Sequence, residues 1–347
     1  MAERGRENAS LSETLRLERG PLSCELLTLG ATLRSLTVPD RRGEPTDVVL
    51  GFDRAEDYVN QDSYIGAAVG PVANRIAGAS CLLNGALLRL QPNEGENSLH
   101  SGEAGLDRRL WEVRAADRDS ALLRCVHPDG LGGIPGPIEI RLGFRLLEDG
   151  LELSWEALSR RDTLCNLTNH SYFNLDGHGS GDVLDHRIRI YAGAFTPTDA
   201  RAIPTGELRP LEGTPLDLRR SVRIGERIDA PDPQLLQARG FDHNYVLDPA
   251  EEPAPEEGLH TAARVLGPRS GIAMTVLTDR PGVQFYTGNF LPAGLRGKQG
   301  AVYGPRSGFC LETQAFPDAP HHPAFPSIFL RAGEPWRSRT VYRFGPG

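Results

Sequence analysis

Two residues far apart in the chain, His170 and Glu312, are of the types that together move a proton on and off a substrate. His170 sits within residues 166–186, NLTNHSYFNLDGHGSGDVLDH, an alternating run that ends in a glycine-rich turn. Successive side chains of a strand point to opposite faces. On that reading Asn166, Thr168, His170 and Tyr172 share one face, while Leu167, Ser171 and Phe173 take the other. The pattern returns in GFCLETQAFPDAPHHPAFP, where Cys310, Glu312 and Gln314 alternate with Phe309 and Leu311. Such strands can line a cleft with the polar face and a core with the apolar one. An imidazole and a carboxylate placed this way make an acid/base pair, each member typically giving about 10²–10⁴-fold to a proton-transfer step. A hydrogen-bonded core histidine is the competing reading of His170 taken alone.

Four other tracts supply groups that would hold a substrate. VANRIAG carries Asn74 and Arg75, and EGENSLHSGEAGLDRRLWEV carries Asn97 and His100. GFDHNYVLD carries Asp242, and RPGVQFYTGNFL carries Gln284. Mixed donors and acceptors of this kind suit a polyhydroxylated ligand. Tyr286, on the face of Gln284, or Trp111 would offer a ring to the apolar side of a sugar. Singly, each has a plainer explanation: a loop anchor for Arg75, an Asx turn for Asp242, a satisfied sheet residue for Gln284. Metal and cofactor chemistry find no support. His321-His322 lacks further ligands at metal spacing, and no H-E-x-x-H occurs. DGHGSGD, residues 176–182, lacks the Gly-Lys-Ser/Thr of a P-loop, and neither a dinucleotide fingerprint nor G-x-S-x-G is present.

The elements that position these residues read as strands. Thirty-nine glycines and 27 prolines in 347 residues interrupt most long helices. Period-two alternation over 138–146, a turn at 148–150 and resumed alternation from Leu151 predict an antiparallel hairpin. Further strands are predicted at 46–52, 121–126, 187–192, 272–278, 282–287 and 338–344. The expectation is an all-β fold, a large antiparallel β-sandwich with few short helices. Residues 1–10 are expected to be disordered and 11–347 to form a single domain, with the Pro/Glu-rich stretch 248–258 a surface loop. A formal net charge of −8 argues against a nucleic-acid partner. Five widely spaced cysteines suit reduced thiols. With neither a signal peptide nor a membrane span in the sequence, a cytoplasmic monomer is expected.

Taken in series, VANRIAG, NSLHSG…LDRRLWEV, NLTNHSYFNL…GSGDVLDH, FTPTD…IPTGELRPLEGTPLDLR, GFDHNYVL, PGVQFYTGNFL and GFCLETQAFPDAPHHPAFPSIFLRAGE resemble the aldose 1-epimerase (galactose mutarotase) family. They keep the family's order and cover residues 47–334. The resemblance implies a large β-sandwich and cofactor-free interconversion of the α and β anomers of free aldohexoses. It places the general base on Glu312 and the general acid on His170. Asn74, Arg75, His100, Tyr172, Asp242 and Gln284 match positions that line the family's sugar site. Three positions depart from the pattern: Pro71 where a basic residue is usual, Ile134 where an aromatic is common, and Ser101 where glycine is usual.

Three rival functions fit parts of the sequence. A hexose-6-phosphate 1-epimerase would need a phosphate site, for which Arg108, Arg109 and Arg296 are available. A non-catalytic sugar-binding module would dispense with the His170–Glu312 pair. A glycosidase would pair Asp242 with Glu312 and leave His170 idle.

Overall fold

The computed structural model describes residues 2–59, 61–250, 252, 254 and 256–347, with the side chains of residues 2–4 and 6 outside the description. Alternation builds the largest sheet. Ile138–Leu146 buries every second side chain, and the hairpin sets Leu146 opposite Leu151 of Gly150–Ser159. These two strands belong to a nine-stranded antiparallel sheet that Pro335–Pro346, Ile272–Thr278, His260–Leu266 and Arg187–Ile190 continue on one side. At Tyr191 the chain leaves this sheet and enters a second one as Ala192–Thr196. That five-stranded sheet runs Arg209–Pro210, Ala192–Thr196, Asp242–Leu247, Gly282–Tyr286, Cys310–Gln314.

The two sheets pack as a sandwich. Val283, Phe285 and Leu311, on the back of the smaller sheet, share a core with Leu142, Leu153, Val276 and Tyr342 of the larger. Across the same boundary the hydroxyls of Thr313 and Thr340 lie 2.6 Å apart. The front of the smaller sheet carries polar residues in register. Gln284 stands between Asn244 and Glu312, and Tyr286 between Asp242 and Cys310. Loops cover this front, so every residue of Cys310–Gln314 is buried.

The all-β expectation holds, with short helices at Ala2–Ser10, Ala55–Val59, Ile224–Arg227 and Pro233–Ala238. The last begins as its sequence directs: the Asp232 carboxylate accepts from the Gln234 N–H, and proline opens the first turn. Three expectations need correction. Residues 2–10 are helical and not disordered: Ala9 is buried with Leu27, Leu29 and Tyr58, and the Asn8 side chain donates to the Arg108 carbonyl. The 46–52 run is a strand only over Pro45–Asp47, followed by an isolated bridge from Val49 to Phe173. Around His170 only Thr168–Asn169 pairs regularly, with Ala68–Val69. There asparagine side chains replace the ladder. Asn166 both donates to and accepts from the Ala315 backbone, and Asn169 donates to the Gly66 carbonyl while accepting from the Ser171 N–H.

Strands not predicted from alternation run over Thr14–Arg19, Leu22–Leu27, Thr32–Pro39, Asp242–Leu247 and His260–Leu266. Of the 248–258 loop, residues 251, 253 and 255 lie outside the described residues. Among the described residues no helix is long and apolar enough to cross a membrane.

Candidate active site

A cavity of about 630 Å³ opens on the front of the smaller sheet. Asn74, Arg75, His100, His170, Tyr172, Asp242 and Glu312 all line it. Gln284 does not. It lies between the strands of Asp242 and Glu312 and donates from Nε2 to Asp242 Oδ1 at 2.7 Å, so it holds a wall residue in place.

His170 is fixed first by its backbone, whose N–H donates to the Ala67 carbonyl and whose carbonyl accepts from Gly66. Its ring lies 5.0 Å from that of Tyr172 and edge-on to that of His100 at 5.6 Å. Nδ1 contacts Cys310 Sγ at 3.4 Å, which leaves Nε2 facing Glu312 Oε1 at 3.7 Å. Glu312 Oε2 is buried with no hydrogen-bond partner among the described residues, an acceptor available to a ligand hydroxyl. Tyr172 reaches past the histidine and donates to the Ser63 carbonyl at 2.9 Å, tying down the 61–64 loop.

The opposite wall is loop-built. Asn74 and His100 both have positive φ, and they exchange hydrogen bonds: Asn74 N–H to His100 Nδ1 at 3.1 Å, His100 N–H to the Asn74 carbonyl at 3.0 Å. Because His100 Nδ1 accepts, the proton of the neutral ring sits on Nε2. His100, His170 and Glu312 offer atoms within 4.8 Å of one another, close enough for a metal ion. The Asn74 hydrogen bond opposes that use, since a ligating Nε2 must give up its proton to an Nδ1 that already faces an N–H donor. Ser101, also at positive φ, accepts from the Val72 N–H and donates to the Val72 carbonyl, locking the loop that carries Asn74 and Arg75.

Burial governs the ionisation of these groups. It pushes Glu312 well above the usual carboxylate range, with Asp242 adding to the rise and Arg75 opposing it. It raises Asp242 likewise, against the pull of Arg75 and the Gln284 hydrogen bond. His170 is drawn down to about 4, again by burial, and His100 falls well below its ordinary value through burial, His170 and Arg75. Burial thus favours a neutral imidazole at position 170, although the Glu312 carboxyl lies 3.7 Å away.

Two wall residues escaped the sequence reading. Tyr64, at positive φ, places its ring 4.7 Å from that of His100 and 5.9 Å from that of His170. Nothing in QDSYIG distinguishes it. Glu94 binds Arg75 through two hydrogen bonds of 2.6 Å, and its place three residues before Asn97 was the available clue. Trp111, considered as a sugar platform, is instead a core residue, its indole N–H donating to the Leu106 carbonyl. The arginines available to a phosphate site in the rival reading, Arg108, Arg109 and Arg296, are absent from the cavity wall. Arg75 and Arg201, which do line it, are each paired with a carboxylate, Glu94 and Asp199.

The family model described as aldose 1-epimerase matches residues 13–343. Galactose mutarotase of Bos taurus is 42% identical over 336 residues, covering 97% of this chain and 95% of that protein. Aldose 1-epimerase of Escherichia coli (strain K12) is 34% identical over 334 residues, covering 95% of this chain and 94% of its own. Among solved structures, an aldose epimerase homologue from C. elegans superposes with a TM-score of 0.88 at 30% identity, covering 96% of this chain and 99% of that one. With its strand-borne carboxylates, loop-borne histidine and near-complete coverage, this chain belongs to the aldose 1-epimerase family.

Proposed function

We propose that this chain interconverts the α and β anomers of free aldohexoses, galactose and glucose foremost, with Glu312 as general base and His170 as general acid. Opening the hemiacetal ring requires a proton taken from the C1 hydroxyl and another given to the ring oxygen. Water does this slowly, because neither alkoxide nor oxonium is stable near neutral pH. Here Glu312 takes the C1–OH proton while His170 protonates O5. Rotation about C1–C2 turns the aldehyde over, and the reverse transfers close the ring as the other anomer. Both residues end as they began, so no cofactor or outside proton is consumed.

The observation that carries this reading is the 3.7 Å approach of His170 Nε2 and Glu312 Oε1 inside a cavity walled by hydrogen-bonding side chains. Between them the two groups carry one transferable proton, although 3.7 Å is longer than a direct hydrogen bond. The uncharged arrangement, favoured by burial, and the charged one that starts the cycle differ only in where that proton sits. Arg75 favours the ionised Glu312, and sugar hydroxyls would solvate it further. Arg75, Asn74, His100 and Asp242 bind the hydroxyls that do not react, Tyr172 flanks the acid, and Gln284 steadies Asp242. Free sugars suit a cavity whose arginines are already neutralised.

This reading takes residues 11–347 as one domain acting as a monomer in the cytoplasm, where five unbridged, buried cysteines would stay reduced. The test is polarimetric mutarotation of freshly dissolved α-D-galactose and α-D-glucose by the wild type, Glu312→Gln and His170→Asn. Both variants should lose turnover. Near-normal rates in either would remove that residue from the chemistry.

A further inference from the structure

We infer that Glu94 is the specificity-determining residue of this cavity, orienting Arg75 and cancelling its charge so that neutral sugars are accepted over anionic ones. The inference rests on the sugar-binding role proposed for Arg75. A guanidinium has two edges that can each form a pair of parallel hydrogen bonds. Glu94 occupies one of them, taking Arg75 Nε and Nη2 at 2.6 Å each. The Arg75 side chain is 14% exposed, so its remaining N–H groups have little room except towards the cavity it lines.

The clamp is built into the backbone on both sides. Asn97 N–H donates to the Glu94 carbonyl, and Asn93 N–H to the Asn97 carbonyl, closing a tight turn around Glu94. The Asn93 side chain both donates to and accepts from the Leu99 backbone, and Leu99 is in register with Arg75. Glu94 and Arg75 are thus held by the backbone of one small hairpin-like unit, with the guanidinium covered and the Glu94 carboxylate partly exposed.

Electrostatics gives the clamp its consequence. With Glu94 in place, the cavity wall holds Asp62, Glu94 and Glu96 against Arg75 and Arg201, in addition to Asp242 and Glu312, whose burial favours their neutral forms. An entering carboxylate or phosphate meets a surplus of negative charge and no unpaired guanidinium. A neutral sugar hydroxyl needs only an oriented N–H. Glu94 also raises Asp242, so the clamp reaches the strand side of the site.

The experiment compares glucose with glucose 6-phosphate and glucuronate as mutarotation substrates for wild type, Glu94→Gln, Glu94→Asp and Arg75→Ala. Glu94→Gln should raise KM for glucose about tenfold, the scale of one charge-assisted hydrogen bond, with the smaller change in kcat. It should also lower the preference for glucose over both anions by about tenfold. Glu94→Asp keeps the charge but shortens the reach, so it should retain the preference while raising KM. A Glu94→Gln enzyme with wild-type KM and wild-type preference, beside an Arg75→Ala enzyme with raised KM, would overturn the role of Glu94 alone. An Arg75→Ala enzyme with unchanged KM would overturn the assignment of Arg75 beneath it.

Discussion

Asp242, Gln284 and Glu312 stand on three neighbouring strands whose ladder dictates their spacing. Asn74 and His100 stand on loops at positive φ, Arg75 opens a two-residue strand beside them, and side chains hold this backbone in shape. The sheet side inherits its geometry from backbone hydrogen bonds that no side chain needs to supply. The loop side is held by Ser101, Asn93, Asn97 and Glu94, so its geometry is only as firm as those contacts. Substitutions on the sheet side should change chemistry and leave the fold alone. On the loop side they should move binding and stability together.

The strongest attempt to break that contrast is Glu312→Gln. The amide keeps the shape and removes the base, so kcat should fall about 10²–10⁴-fold. Sugar affinity, measured by calorimetry, should change little. Stability should rise at neutral pH, and the sign follows from linkage. A carboxyl with a raised folded pKa contributes stability below its unfolded value of 4.5, and that contribution is lost as pH rises through the folded one. Glutamine escapes the loss. A variant with near-normal turnover, or one markedly less stable than wild type at pH 7, would undo the sheet-side account.

The next largest effect concerns acid. His127, His170 and His186 are lowered to about 4 and His243 to about 3, all mainly by burial. A histidine with a depressed pKa contributes stability that is present above 6.5 and lost as pH falls towards the folded value. Unfolding free energy should therefore decline steeply from pH 6.5 to 4, by about 1.4 kcal/mol per pH unit for each proton taken up. His127 is fully buried and absent from the cavity wall. His127→Gln should reduce the slope by one proton without altering the pH profile of turnover. Urea titrations at half-unit intervals would measure it, and an unchanged slope would mean that the imidazole is not held neutral.

This division also explains what was readable in advance. Strand alternation put Glu312 and Gln284 on the polar face of their strands, as the register shows, because residues two apart on a strand share a face whatever surrounds them. It put His170 on the right side of the cleft for a partly wrong reason. The segment is held by Asn166 and Asn169 side chains bonding backbone, and alternation carries no trace of that. Asn74, Arg75 and His100 came from the family resemblance and from their chemistry, not from any period. Tyr64 was hidden because its place depends on a positive φ at a non-glycine residue, which sequence does not announce. Asp242–Leu247 was missed as a strand although FDHNYVL alternates. Asp242 faces the cavity while His243 and Asn244 are buried, so the usual apolar-in, polar-out signal was absent.

A milder test on the loop side is Arg75→Ala. Loss of the guanidinium should raise KM for galactose about tenfold or more and reduce kcat by a smaller factor. It should also strand the negative charge of Glu94 and remove the cation that opposes protonation of Asp242 and Glu312, so both should rise further. The acid limb of the kcat/KM profile should then shift to higher pH. A loss confined to kcat would place Arg75 in the transition-state chemistry and erase the binding role given to the loop side.

The smallest expected effect separates two contributions at one residue. Ser101 occupies left-handed backbone, φ 64°, where a side chain costs about 1–2 kcal/mol, and its hydroxyl bonds both backbone groups of Val72. Ser101→Ala keeps the strain and deletes the hydroxyl, leaving the buried Val72 N–H without its partner, so it should destabilise by about 1–3 kcal/mol. Ser101→Gly deletes the same hydroxyl but removes the strain, and should cost about 1 kcal/mol less than alanine. If the hydroxyl is what holds the Val72–Asn74 turn, both variants should also raise KM, glycine no less than alanine, because relief of strain restores stability and not the contact. Equal stabilities for the two would mean that the left-handed conformation is not maintained once the hydroxyl is gone. Unchanged KM in both would mean that the loop side keeps its shape without this lock, and is more like the sheet side than its side-chain contacts imply.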